Sequence, residues 1–266
     1  MPPHNRFAGR DVHIFDGRDQ VGGLNLTAGI TNVNLYVMIE IFIIFNGENS
    51  LRNESNITIE KNNSTFAWKV LYFNSVDPLQ INTEMPLLRM ISLQTGTRVQ
   101  AFTDAVRSRD RRCVISGKIA LNAHLNRWTG FEAAHIFPLA FEGLWKDHNF
   151  GCWIKSPLNG EKIKGGKINS AQNGLLLRSD IRQLFDMYFI SINPDTSSQR
   201  PADQLLRWHF RQAVSTNMKG AEESVFEYDF PPGSDIFGNI LEGPKAAKRM
   251  EFELFSRLAT QFHLTE

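Results

Sequence analysis

The sequence predicts an α+β fold: a small N-terminal α+β region, a central motif in which a strand, a long loop, a second strand and a helix follow one another, and C-terminal helices. Two observations predict it. A short apolar, strand-like run leads to His135, Ile136-Phe137-Pro138 then turns the chain, and much later residues 169–174 read as a loop, 175–177 as a buried strand and Ser179 as the cap of a helix beginning at Asp180. Helical apolar spacing recurs outside this motif, at Val99, Phe102 and Val106, along residues 202–219, and after Pro244.

In order along the chain, residues 11–15 (DVHIF) read as a first strand closed by the Asp16-Gly17 turn. The run 35–45 (LYVMIEIFIIF) suits either a buried strand or a buried helix; its start is expected to be helical and the rest stays open. Residues 57–60 and 66–73 flank the polar KNNST and are expected to form a hairpin. An apolar stretch at 85–93 leads into a helix over 98–109, with a domain boundary near 95. Residues 139–147 are expected to hold a short helix, 156–168 (SPLNGEKIKGGKI) a Gly/Lys-rich loop, and 188–192 a strand ended by Asn193-Pro194-Asp195. Leu205, Trp208 and Phe210 of the following helix are expected to pack, and Pro244 to open a last helix. The expected domains are 1–94, 95–195 and 196–266, the last a helical extension packed on the middle one.

Composition bounds the function classes. With 266 residues, 42% hydrophobic and 21% charged, the chain has an ordinary globular composition and room for a core. A net charge of +1 gives no global attraction to nucleic acid, so any such binding must come from local patches. The two cysteines, Cys113 and Cys152, exclude a four-thiolate zinc site and fit a reducing compartment. The first residues lack the apolar core of a secretory signal, so the sequons at Asn25, Asn53, Asn56, Asn62 and Asn63 read as Asn-rich turns in an intracellular protein of nucleus or cytoplasm. The run 35–45 is too short for the roughly 20 residues that span a bilayer.

Two segments are locally basic. Between 98 and 118 six basic residues face Asp104 and Asp110, with Arg107, Arg109, Arg111 and Arg112 dense enough to contact phosphates; the alternative is a solvated helix end. Between 155 and 182 six more face Glu161 and Asp180, and the loop carrying Lys162, Lys164 and Lys167 is suited to clamping a nucleic-acid backbone or to plain surface. His124 and His148 read as ordinary surface or packing residues.

AAHIFPLA at 133–140 together with QNGLLLRSDI-x-QLFD at 172–186 resembles the HNH endonucleases, in the branch found in fungal proteins. The family's ββα-metal motif has a His on the first strand, an Asn in the loop and a second His on the helix. His135 and Asn173 fall on the first two positions, while Arg182 stands at the third and Ala134 where the family has an Asp or His. The resemblance implies hydrolysis of DNA phosphodiester bonds with a divalent metal such as magnesium, manganese or zinc, His135 acting as base and Asn173 holding its loop. A guanidinium at 182 would either displace the metal or supply its own charge to the phosphate, and Asp186, one turn on, is a replacement ligand or a helix-end hydrogen-bond partner. The alternative function is a catalytically degenerate HNH fold acting as a nucleic-acid or protein binding module, without membrane attachment.

Overall fold

Strand β1 (Val12–Asp16) and β2 (Asp19–Leu24) form an antiparallel hairpin, turned at Gly17 with φ of 57°. The computed structural model describes residues 10–25, 30–75, 79–82, 99–155, 166–196 and 203–218, with single positions 235 and 238. The architecture is α+β, and the chain divides into two compact units, Met1–Pro86 with Val214–Glu266, and Leu87–Ala213. The division falls within helix α5 (Asp203–Asn217).

In the first unit, the β1/β2 hairpin is extended by β5 (Val70–Ser75), parallel to β1, and by β4 (Asn49–Asn53), antiparallel to β5, in the order β2-β1-β5-β4. Alternation puts Val12, Ile14, Leu51, Leu71 and Phe73 on one buried face. Helix α1 (Asn32–Phe42) starts at Thr31, whose hydroxyl accepts from Asn34 N, and crosses this face. At one end the Tyr36 hydroxyl accepts from Leu51 N and donates to Ile59 O; at the other the Phe42 ring lies where a Cβ on Gly22 would come within 2.9 Å. After α1 the chain goes straight into β3 (Ile43–Ile44), paired with β6 (Gln80–Ile81), so the run 35–45 is helix and then strand.

The hairpin expected from 57–60 and 66–73 is not formed. The partner of β5 is β4, and residues 57–60 make an isolated bridge, Arg52 to Thr58, rather than a strand. The reason is Asn53, whose Oδ1 accepts from Ser55 N and Ile57 N and folds the chain back at Asn56, at φ of 60°.

The second unit is built on β7 (Phe131–His135) and β8 (Gly174–Arg178), an antiparallel pair with helix α2 (Gln100–Asp110) on one face. On the other face lies α4 (Ser179–Asp186), with α3 (Glu142–Asp147) and the start of α5 closing an apolar core around Phe137, Trp145, Leu175, Leu177 and Phe185. As expected of α5, Leu205 is buried and Trp208 packs, its ring 4.6 Å from that of Phe137. Ser179 is the first residue of α4 rather than its cap; Arg178 holds the cap position and pairs with Asp180 at 2.8 Å. The strand expected at 188–192 is absent, because Tyr188 adopts φ of 62° and Phe189 N returns to Leu184 O, closing the helix end. The apolar run at 85–93, Lys162, Lys164 and the helix after Pro244 lie outside the described residues.

Candidate functional site

The register of β7 on β8 pairs His135 with Gly174, Ala134 with Leu175, Ala133 with Leu176 and Glu132 with Leu177. Because side chains alternate along a strand, Ala133 and His135 look one way and Glu132 and Ala134 the other. The first face is covered by Phe102 and Val106 of α2, and the second by Phe185 of α4.

His135 is therefore buried against α2. Its imidazole stacks on the Phe102 ring with centroids 3.8 Å apart and planes at 7°, and its Nε2 lies 3.3 Å from Oδ1 of buried Asn169. Gly174, opposite His135 on β8, makes this packing possible: a Cβ there would lie 2.6 Å from Val106 Cγ2 and 2.7 Å from the Phe102 ring.

Asn173 is fully buried and ties the loop after β7 to the entry of β8. Its Oδ1 accepts from Phe137 N at 2.8 Å, and its Nδ2 donates to Phe137 O at 3.2 Å and Ile168 O at 2.9 Å. Ile136 N donates to the Asn173 carbonyl at 2.9 Å. The turn just after His135 is thus held by one amide side chain and its own backbone.

Arg182 projects from α4 on the opposite side. Its Nη1 pairs with Glu132 Oε2 and its Nε lies 3.1 Å from Asp186 Oδ2, one turn further along the helix. The guanidinium is three-quarters covered, and two carboxylates already converge on it. The structure brings Arg182 and Asp186 together but sets His135 on the other face of the hairpin, so these expected site residues do not face one another across one cleft.

These residues do not fit a divalent metal. Ala134 offers no ligand atom, Nε2 of His135 is engaged with Asn169, and Asp186 and Glu132 surround a cation. Among the described residues no three His, Cys, Asp or Glu side chains come together to hold one.

The basic residues of α2 have divided roles. Arg109 holds Asp110 with two contacts, at 2.6 Å and 2.7 Å, and donates to Ala171 O at 2.5 Å and Gly174 O at 2.7 Å. Asp110 in turn accepts from Leu176 N at 2.9 Å. The pair pins the end of α2 to the outer edge of β8 and to the loop before it. Arg107 is half-buried with its guanidinium 5.2 Å from the Trp128 ring centre. Arg111 and Arg112 are exposed, Arg111 at φ of 52° closing the helix and Arg112 bridged to Ile119. Lys118 and Arg127, neither proposed as a contact from the sequence, are exposed in the same segment, which has no Asp or Glu between 111 and 131. Lys167 donates to Gly151 O at 3.1 Å. Beneath the segment, burial pushes the Cys113 thiol up, but hydrogen bonds from Ser116 and the backbone outweigh it and hold the group below its ordinary value.

Sequence reasoning missed Phe102, Glu132 and Asn169 as neighbours of the site. Phe102 was legible only as an apolar helix position. Glu132 carries a signal in retrospect, since its parity on β7 and the spacing of Arg182 and Asp186 on α4 place opposite charges on one face.

Comparison with known proteins agrees with the geometry of the hairpin. Residues 113–193 match the family model described as HNH endonuclease, a span that contains β7, Asn173, β8 and α4. Residues 9–67, within the first unit, match a family described as Domain of unknown function (DUF8573). Neither a curated protein nor a solved structure matches the chain. No described helix is long and apolar enough to cross a membrane.

Proposed function

We propose that this chain uses an HNH-derived fold to bind nucleic acid, with the phosphodiester-cleaving centre of that fold silenced. The observation that carries the reading is the separation of the two motif residues: His135 is stacked under Phe102 on one face of the hairpin, and Arg182 is bound by Glu132 and Asp186 on the other. Hydrolysis requires a base, a cation and a phosphate at one point. The match to HNH endonucleases implies a nucleic acid as what the fold meets, and DNA is the substrate the family resemblance suggests. Arg111, Arg112, Lys118 and Arg127 support a phosphate-contacting surface, since they are exposed in a segment free of carboxylates. The part directed at duplex DNA is residues 95–195.

The test is binding of a fluorescent DNA duplex by anisotropy over a salt series. The native chain binds with a steep salt dependence, and changing Arg111, Arg112, Lys118 and Arg127 to Glu lowers affinity without regard to sequence and flattens the slope. Unchanged affinity and slope in that variant would remove this surface from the account. Arg109→Glu is excluded from the set because its contacts make it structural.

A further inference from the structure

The open face of the four-stranded sheet in the first unit is made of the side chains that alternate with its core. Across it runs one row in register: Gln20 on β2 opposite Phe15 on β1, Phe15 beside Tyr72 on β5, and Tyr72 opposite Arg52 on β4. The Phe15 and Tyr72 rings lie 5.6 Å apart with planes at 25°, side by side on the two central strands. Tyr72 is 39% exposed, and Trp68, two residues before β5, is 43% exposed. His13, paired with Val70 next to this row, holds its Nδ1 2.8 Å from Gln20 Nε2.

Large aromatic rings on an open sheet face expose apolar area that a free surface does not require. No Asp or Glu occupies an open-face position of these strands: Asp16 and Asp19, paired at the end of the hairpin, alternate to the opposite side from Phe15 and Gln20. The face thus combines accessible π surfaces with the amide of Gln20, 2.8 Å from His13 Nδ1, and the guanidinium of Arg52, held by Asn56 Oδ1 at 3.0 Å, while the exposed carboxylates of Asp11, Glu48 and Glu54 lie just beyond the strand ends. Unpaired bases stack on such rings while cations at the edge meet the backbone, and a duplex, whose bases are already stacked, cannot use them.

We infer that this sheet face binds single-stranded nucleic acid, with bases stacking on Tyr72 and Phe15 and Arg52 meeting phosphate. The inference rests on the first unit alone and stands or falls independently of the duplex surface in the second.

The experiment measures anisotropy of a labelled mixed-sequence single-stranded 12-mer, and of a labelled duplex, with full-length native protein, Tyr72→Leu, Tyr72→Phe and Arg52→Gln, each checked for native circular dichroism. Tyr72→Leu lowers single-strand affinity about tenfold, Tyr72→Phe retains it because the ring is kept, and duplex affinity stays at the native value in all three. Arg52→Gln lowers single-strand affinity and reduces its salt dependence. Native-like single-strand binding by both Tyr72→Leu and Arg52→Gln, no single-strand binding by the native protein, or equal losses for single strand and duplex would each overturn the inference. Loss of duplex binding in the Arg111, Arg112, Lys118 and Arg127 variant with single-strand binding retained is the expected complement. Loss of both in that variant, with none in Tyr72→Leu, assigns all binding to the second unit and rejects the sheet face.

Discussion

Arg182 is held by carboxylates that approach from two elements, Glu132 on β7 and Asp186 on its own helix. Replacing the guanidinium with an imidazole would leave two oxygen ligands and add a nitrogen between them. Arg182→His is therefore expected to take up zinc in calorimetry while the native chain does not. Failure of that variant to bind zinc would mean that the carboxylates do not converge once the guanidinium is gone. The same variant should remain unable to cut DNA, because His135 stays on the far face of the hairpin. Asn173 makes a different kind of contribution. Asn173→Ala would strand the amide and carbonyl of Phe137 and the carbonyl of Ile168 in the interior, a loss of about 2–4 kcal/mol in urea unfolding of the full chain. The places of His135 at a strand end and Asn173 in the loop before a buried strand were legible from residue type and spacing, while roles for them came only from the family resemblance. Their environments were not: the ring over His135 comes from Phe102, and the partner of Arg182 lies 50 positions away, and neither distance in sequence leaves a local pattern.

The hairpin of β7 and β8 is covered on both faces, which is why β8 reads as a nearly continuous apolar run rather than an alternating one. Its weakest tolerance is at Gly174, where α2 comes closest. Gly174→Ala is expected to cost about 1–3 kcal/mol through overpacking against Phe102 and Val106, and to move the imidazole of His135, seen as a changed His resonance in NMR spectra. An unchanged midpoint and spectrum would show that α2 yields freely. Elements with an apolar strand run, β1 and β8, or helical apolar spacing, α2 and α5, were legible in the sequence. Strands β2 and β4 were not, since DQVGGL and NSLRN carry glycine and asparagine, which favour turns when judged locally. Tertiary contacts decide them: β2 accepts two glycines because Phe42 and neighbouring backbone pack against it, and β4 is fixed by its ladder with β5 and the Tyr36 hydroxyl. The turn at Tyr188 was illegible for the same reason, its left-handed backbone being tolerated by burial of the ring beside His209, 4.9 Å away.

At the scale of the whole chain, a net charge of +1 conceals an uneven distribution, with the carboxylate-free segment 111–131 at the start of the HNH-matching part and an aromatic sheet face in the other unit. In the proposed reading both surfaces meet nucleic acid and neither carries cleavage. The most direct measurement is nicking of supercoiled plasmid by the native protein, with magnesium, with manganese and with chelator, beside His135→Ala. Native and His135→Ala proteins are expected to leave the plasmid intact under all three conditions, at concentrations where anisotropy shows the DNA to be bound. Metal-dependent nicking by the native protein that disappears in His135→Ala, with the variant still folded, would contradict this reading and restore the imidazole to a working active site.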